Sequence, residues 1–347
     1  MDYKILVDSR DVNDATSFYI DIIRQAVIKA GHKASIIYTI ADLRNNDVAV
    51  VVKVTTAYRV LSQNKRQKMI IWLQGIQPEE MLMSDTPLYK KIYYYLALRY
   101  LEWKSFKNIP FMIYVSEEMK RHYEKKFGPG NRCSFIMPCF NLELDEKSFF
   151  AKERYNNPSF VYAGSLDAWQ CFEKTLDIFY KVKSHMKNAS LTILTKDTDK
   201  AQLMAKMHNL DDVEIKYVPK EMVQAELKKF KYGFIIREDV KVNRVATPTK
   251  LNSYMASGVI PIVSDSLIDF VDNTKECKYI CRIGNDLIPN TVAEKIIKFE
   301  TLNVDVADIC NEYSKVFANY YNAKKYIDSL SKQITTFNEN ITFDRQH

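Results

Sequence analysis

The stretch Arg237–Asp265, REDVKVNRVATPTKLNSYMASGVIPIVSD, decides how the chain is read. Tyr232, Gly233, Phe234, Ile235 and Ile236 lead into it as a compact apolar run of strand type. The stretch then brings four cations, Arg237, Lys241, Arg244 and Lys250, within fourteen positions. Pro248 presets φ for a first helical turn, and Thr247 is the expected N-cap. Gly258 stops that helix, and Val259–Val263 is the next strand. A cation-rich loop that opens a helix suits a phosphate. Free backbone N–H groups and the helix dipole already favour an anion there.

The same alternation continues outward. Downstream of a polar stretch, Asn141–Asn157, read as a linker ending at Pro158, Ser159–Ala163 is a strand. It runs into Gly164-Ser165-Leu166-Asp167-Ala168-Trp169-Gln170 and a helix to about His185. Leu191–Leu194 and Val213–Val218 are further strands, separated by the Lys200–Met207 helix. In the first half, Ile5–Val7, Ala34–Ile37, Val48–Val52, Met69–Leu73, Phe111–Val115 and Ser134–Met137 read as strands with helical segments between. Uninterrupted apolar strands alternating with helices imply parallel sheets covered on both faces. At 347 residues, two such domains are expected. The expected division is 1–150, 151–310 and a strandless helical tail, 311–347.

Composition narrows the function. The net charge of +7 is a mild basic excess, and no Lys- or Arg-rich tail accompanies it. That points to anionic ligands or an anionic membrane surface and away from nucleic acid. Only eight glycines are present, with no dinucleotide fingerprint and no P-loop, which sets aside NAD-dependent and kinase chemistry. Six scattered cysteines follow no zinc spacing and read as buried thiols in a reducing compartment. The chain enters a strand almost at once, without a signal peptide, and holds no apolar run near the ~20 residues that span a bilayer. The expectation is a cytoplasmic protein with no bound metal or cofactor.

Ligands of open parallel sheets sit beyond the carboxyl ends of the strands. Two loops at such ends stand out, Asp8-Ser9-Arg10-Asp11 and Gln74-Gly75-Ile76-Gln77-Pro78-Glu79-Glu80. Arg10, Gln74, Gly75 and Glu79 are candidates for binding an acceptor. The other reading of Glu79 and Glu80 is a helix N-terminus whose dipole they complement. His32 reads as a helix-end residue and His122 as a surface one. Trp169 either stacks on a nucleobase or sugar or packs in a core. Leu88–Asn108, LYKKIYYYLALRYLEWKSFKN, mixes seven aromatic side chains with five cations and one acid. It fits either peripheral contact with an anionic membrane or an amphipathic helix packed on its sheet.

Pro248-Thr249-Lys250-Leu251 followed by Tyr254–Val263 resembles the nucleotide-sugar segment of the retaining GT-B glycosyltransferases that build capsular and surface polysaccharides. Tyr162-Ala163-Gly164-Ser165-Leu166 resembles the opening of their C-terminal domain. IIWLQGIQPEE, YVSEEMKRHYEKKFG and IMPCFN are similar to bacterial members of that group. The resemblance implies two Rossmann-like domains facing across a cleft, with a helical tail crossing back to the first. It implies a UDP- or GDP-linked sugar as donor in the second domain and a glycan or lipid-linked acceptor in the first, at the inner membrane face. Such enzymes meet the leaving diphosphate with side-chain cations and a helix N-terminus and need no metal.

The resemblance assigns Lys250 and Arg237 to the diphosphate, with Arg244 third. It places Gly164, Ser165, Trp169, Gln170, Asn243, Pro248, Thr249 and Ser253 around the donor. Two Glu residues of the family pattern are replaced by Val245 and Ser253, and Ser165 and Gln170 stand where relatives carry Arg and Lys. Glu238 is the candidate for the missing carboxylate. These departures keep two alternatives open: a nucleotide-sugar epimerase of the same fold, and a non-catalytic binding subunit.

Overall fold

The computed structural model describes residues 1–7, 14–128, 133–151 and 153–343. The chain divides into two compact units. The first is Met1–Asn141 with Asn322–His347, and the second is Leu142–Tyr321.

The first unit contains β1 (Asp2–Leu6), β2 (Lys33–Ile37), β3 (Val48–Val51), β4 (Lys68–Leu73), β5 (Phe111–Tyr114) and β6 (Cys133–Ile136). They form one parallel sheet in the order β2-β1-β3-β4-β5-β6. β3 is buried along its whole length, and Met69–Leu73 of β4 likewise, because helices cover both faces. The Ala323–Phe343 helix completes this unit. Its Leu330, Ile334 and Phe337 are buried, with Phe337 edge-on to Phe111. Asn338 accepts a hydrogen bond from the Tyr3 hydroxyl at 3.0 Å, which fixes the helix against β1. His32 stacks on Tyr3 and reaches Asn338 at 2.7 Å, so it is part of this packing.

The second unit contains β7 (Ser159–Ala163), β8 (Ser190–Leu194), β9 (Glu214–Lys216), β10 (Tyr232–Ile235), β11 (Ile260–Ser264) and β12 (Cys281–Gly284). Its order is β12-β11-β10-β7-β8-β9, again parallel throughout. β7 lies between β10 and β8, so the strand order reverses at β7. Loops leaving β7 and β10 therefore part to opposite faces, which opens a crevice at their carboxyl ends. Gly233, in mid-strand, is required by packing: a Cβ there would lie 2.4 Å from the Tyr254 ring. The Tyr254 hydroxyl then accepts from Ala163 N at 3.0 Å and ties the Thr249–Ala256 helix to β7.

Three local readings are corrected. Asn141–Asn157 is not a free linker from Leu142 onward. Phe149, Arg154 and Tyr155 are buried in the second unit. Arg154 reaches the carbonyls of Ser148, Leu227, Phe230 and Ser257, so its charge is satisfied inside a segment whose composition looks solvated. The helix after the cationic loop begins one residue late, because its N-cap position is Pro248, with an extended ψ of 127°, and not Thr247. The loop itself contains a short helix, Lys241–Arg244. All six cysteines are free thiols.

Candidate functional site

β7 delivers Gly164 and β10 delivers Arg237 to the two sides of the crevice. Gly164 has φ of +136°, outside the range L side chains ordinarily adopt. The position also has no room for a side chain, since a Cβ would lie 2.7 Å from both Cε and Nζ of Lys250. The lysine crosses directly over the glycine backbone. Its amine donates to Gln170 Oε1 at 2.7 Å and sits 4.6 Å from the centre of the Tyr162 ring. Arg237 donates from Nη2 to the same Gln170 oxygen.

Two cations thus converge on one neutral amide oxygen. Arg237 is only 3% exposed. Its backbone is pinned by Ser264, whose Oγ accepts from Arg237 N and donates to Arg237 O at 2.8 Å each, and Ser266 Oγ also donates to that carbonyl. Burial, and then the Arg237 charge, hold the Lys250 amine well below the ordinary lysine range. Burial also lowers Arg237. An arginine stays protonated at any working pH, so the strain of the pair falls on Lys250. The Asp167 carboxylate acts on both cations but offsets them only in part. An anion entering here gains two cations and the N-terminus of the Thr249–Ala256 helix, whose N-cap, Pro248, has no side-chain acceptor.

A cavity of about 610 Å³ adjoins this point. Gly164, Ser165, Lys250, Ser253 and Tyr254 form one side, and Lys196, Asp197, Tyr217 and Lys220, after β8 and β9, form the other. Its volume is within the range of small-molecule and nucleotide pockets. Ser165 Oγ donates to Asp167 at 2.6 Å, and Ser253 Oγ donates to Thr249 O at 3.2 Å. Trp169 is partly exposed on the short turn Ala168–Gln170.

The remaining candidates of the cationic loop are engaged elsewhere. Asn243 is buried and donates to Glu238 O at 3.0 Å, a brace within the loop. Arg244 forms a two-pronged pair with Asp239. Glu238 is exposed and lies 3.3 Å from Lys174. In the first unit, the loop after β4 is held from below. Glu80 folds over Gly75 to accept from Ile76 N at 3.0 Å. Glu79 pairs with Lys126 at 3.2 Å, and Lys126 also meets the buried Glu102 at 2.6 Å. His122 is part of this cluster, 3.5 Å from Glu79, and not a surface residue. Burial raises both Glu80 and Glu102. Gln74 is exposed at the loop tip. Arg10 lies outside the described residues.

Sequence reasoning missed Tyr162, Tyr254, Lys196, Asp197, Tyr217 and Lys220. Tyr162 and Tyr254 lie inside the two segments that carry the resemblance, but no role was read for either. The others follow β8 and β9, at strand carboxyl ends, which is the one signal the sequence offers for them.

Two parallel six-stranded sheets of these orders, with the C-terminal helix packed into the first, are the GT-B fold. Solved structures bear this out. Sucrose-phosphate synthase from Thermosynechococcus elongatus superposes with a TM-score of 0.65 at 10% identity, covering 99% of this chain and 100% of that one. The lipopolysaccharide outer core galactosyltransferase WaaB gives 0.60 at 10% identity, over 93% and 99%. A variant of S. aureus TarM, in complex with fondaparinux, alpha-GlcNAc-glycerol and UDP, gives 0.59 at 14% identity over 83% of this chain. The chain spans 55% of the length of that protein. No protein-family model and no curated protein matches the chain.

One result follows from Gly164 alone. Gly164→Ala is expected to push the Lys250 amine off Gln170 while leaving the buried sheet intact. Affinity for an anionic probe such as inorganic diphosphate should fall at least about tenfold, with a stability loss of about 1–2 kcal/mol from the strained φ. Isothermal titration beside a thermal melt checks both. Unchanged affinity would remove Gly164 from the site.

Proposed function

We propose that the chain is a glycosyltransferase that moves a sugar from a UDP- or GDP-linked donor to a glycan or lipid-linked acceptor in surface polysaccharide synthesis. The convergence of Lys250 and Arg237 on Gln170 Oε1, beside Gly164 and the 610 Å³ cavity, carries this reading. As the sugar departs, charge grows on the leaving diphosphate. Cations fixed in advance stabilise that charge more than they stabilise the bound donor. The nucleoside would occupy the cavity and the diphosphate would displace the Gln170 amide from between the cations. Retention of configuration and independence from metal belong to the same proposal. The UDP complex of TarM supports the donor class.

The test is a thermal-shift screen of the purified chain against UDP-, GDP-, CMP- and dTDP-sugars, followed by product analysis with and without acceptor. A bound donor raises the melting temperature by mass action. A shift with one nucleotide class, and transfer to a glycan, is the expected result. No shift with any donor and no release of nucleotide would end the proposal. Interconversion of donor sugars without acceptor would replace it with epimerisation.

Lys250 gives the donor complex a proton signature. In the free protein its amine is held low, and the charge of a diphosphate beside it would raise it. Binding a nucleotide-sugar should therefore take up a proton at pH values between those at which the free and the bound amine titrate, and affinity should weaken as pH rises through that window. The folding contribution has the opposite sense. The unfolded chain binds the proton more readily, so this group's penalty shrinks as pH rises toward the ordinary lysine range. Titration in two buffers of different ionisation enthalpy measures the uptake. A zero result would mean that the amine is already charged in the free protein.

A further inference from the structure

The Leu88–Phe106 helix of the first unit buries only Glu102, Ser105 and Phe106. Tyr89, Tyr93, Leu96, Tyr100 and Trp103 recur at alternating four- and three-residue steps, which places them on one stripe of the helix. Their exposures are 70%, 68%, 60%, 49% and 42%, and Leu88 at 72% and Ile92 at 48% widen the stripe. From Tyr89 to Trp103 it runs about 21 Å along the axis. A monomeric protein seldom leaves so long an apolar run in water.

The charges on this helix are one-sided in solvent. Lys90, Lys104 and Lys107 are exposed. The helix's single acid, Glu102, is 1% exposed and turned inward onto Lys126. Lys107 lies 4.4 Å and Lys104 5.2 Å from the Trp103 ring, so cations border the apolar stripe at its C-terminal end. Asp85, just ahead of the helix, is the nearest acid before it in the sequence. The chemistry of the stripe distinguishes its occupant. Four of its five members are Tyr or Trp, whose rings have a polar tip and settle at the headgroup level of a bilayer. Lys stems extend over the apolar layer while their amines reach phosphate. A partner helix would favour aliphatic seams and charges of both signs. No helix among the described residues is long and apolar enough to cross a membrane, so contact would lie in the plane of the surface.

We propose that the Leu88–Phe106 helix docks the protein on anionic bilayers, its aromatic stripe at the headgroup level and Lys90, Lys104 and Lys107 on lipid phosphate. This surface is argued from the helix alone and does not depend on the donor site. The full chain should co-sediment with phosphatidylcholine vesicles that contain phosphatidylglycerol, bind pure phosphatidylcholine far less, and be released by salt at about 0.5 M. Reversal of all three lysines to Glu should lower partitioning on the order of 100-fold. A Tyr93→Ser, Leu96→Ser, Trp103→Ser triple variant should lower it at least about 10-fold even in low salt. All six positions are exposed, and an unchanged melting temperature and nucleotide-sugar affinity confirm that both variants fold. Three results would overturn the docking surface. One is an intact chain that stays in the supernatant with anionic vesicles. The second is partitioning that neither variant changes. The third is a dimer in solution that only the apolar variant disperses, which would give the stripe to a second copy of this chain.

Discussion

Lys250→Ala should lower kcat/KM for sugar transfer by about 10²–10³, equivalent to roughly 3–4 kcal/mol of transition-state stabilisation. The free protein should melt no earlier than the parent. These two outcomes belong together. In the free state the amine is part-buried beside Arg237 and shares one neutral acceptor with it. Removing it relieves a repulsion and a desolvated charge. In the reacting state that same amine faces a diphosphate whose charge is growing. Lys250→Met separates the two effects, since it keeps an aliphatic stem against Tyr162 and lacks only the charge. It should match Lys250→Ala in turnover and exceed it in melting temperature. The rise in melting temperature that a nucleotide-sugar gives the parent should shrink in both variants. Near-normal turnover in Lys250→Met would show that the cation is not used. An earlier melt of the free Lys250→Ala chain with full turnover would make Lys250 a packing residue.

Residues close in sequence were legible and their distant partners were not. Strand Tyr232–Ile236, the cationic loop and Lys250 could be read because apolar runs, Pro248 and Gly258 punctuate them locally. The parallel sheets followed from strands with no polar alternation. The meeting of Lys250 with Gln170 joins positions 80 residues apart, and nothing local to either announces it. Composition and spacing did not separate the four loop cations, and only the family resemblance ranked Lys250 and Arg237 ahead of Arg244. The fold separates them, because Arg244 finds Asp239 on its own loop while Arg237 is carried inward by β10. Asn141–Asn157 misled for a related reason. Its composition is that of a solvated linker, but burial of Phe149 and Tyr155 is local apolar chemistry, and the Arg154 charge is met by carbonyls, which composition does not reveal. The Glu102–Lys126 pair was hidden too, since an acid on a basic helix reads as one more surface charge.

Arg154→Ala should produce the largest loss of stability, about 3–5 kcal/mol. Arg154 is 5% exposed. Nε donates to Phe230 O at 2.9 Å, and Nη1 donates to Ser148 O at 3.0 Å and Ser257 O at 2.5 Å. Nη2 reaches Leu227 O at 3.4 Å. Leu227 ends one helix, Lys220–Leu227, and Ser257 is the C-cap of another, Thr249–Ala256. The arginine therefore neutralises the negative ends of two helix dipoles with donors that water cannot replace there. Truncation leaves buried carbonyls without partners and a void beside Gly258, where a Cβ would already crowd Arg154 Nη1 at 2.9 Å. Arg154→Lys keeps the charge but has only a point donor in place of the planar fork, so it should recover less than half of the loss. The two units need not unfold together, and the affected transition should be the one that a nucleotide-sugar raises. For a unit of this size the expected fall is about 10 °C. A fall confined to the other transition, or none at all, would refute the assignment of Arg154 as the tie between these helix ends. Because Ser257 closes the helix that begins at Thr249, partial unfolding should also weaken donor affinity. In Arg154→Lys that loss should track stability across temperature, whereas in Lys250→Met the affinity stays low at every temperature.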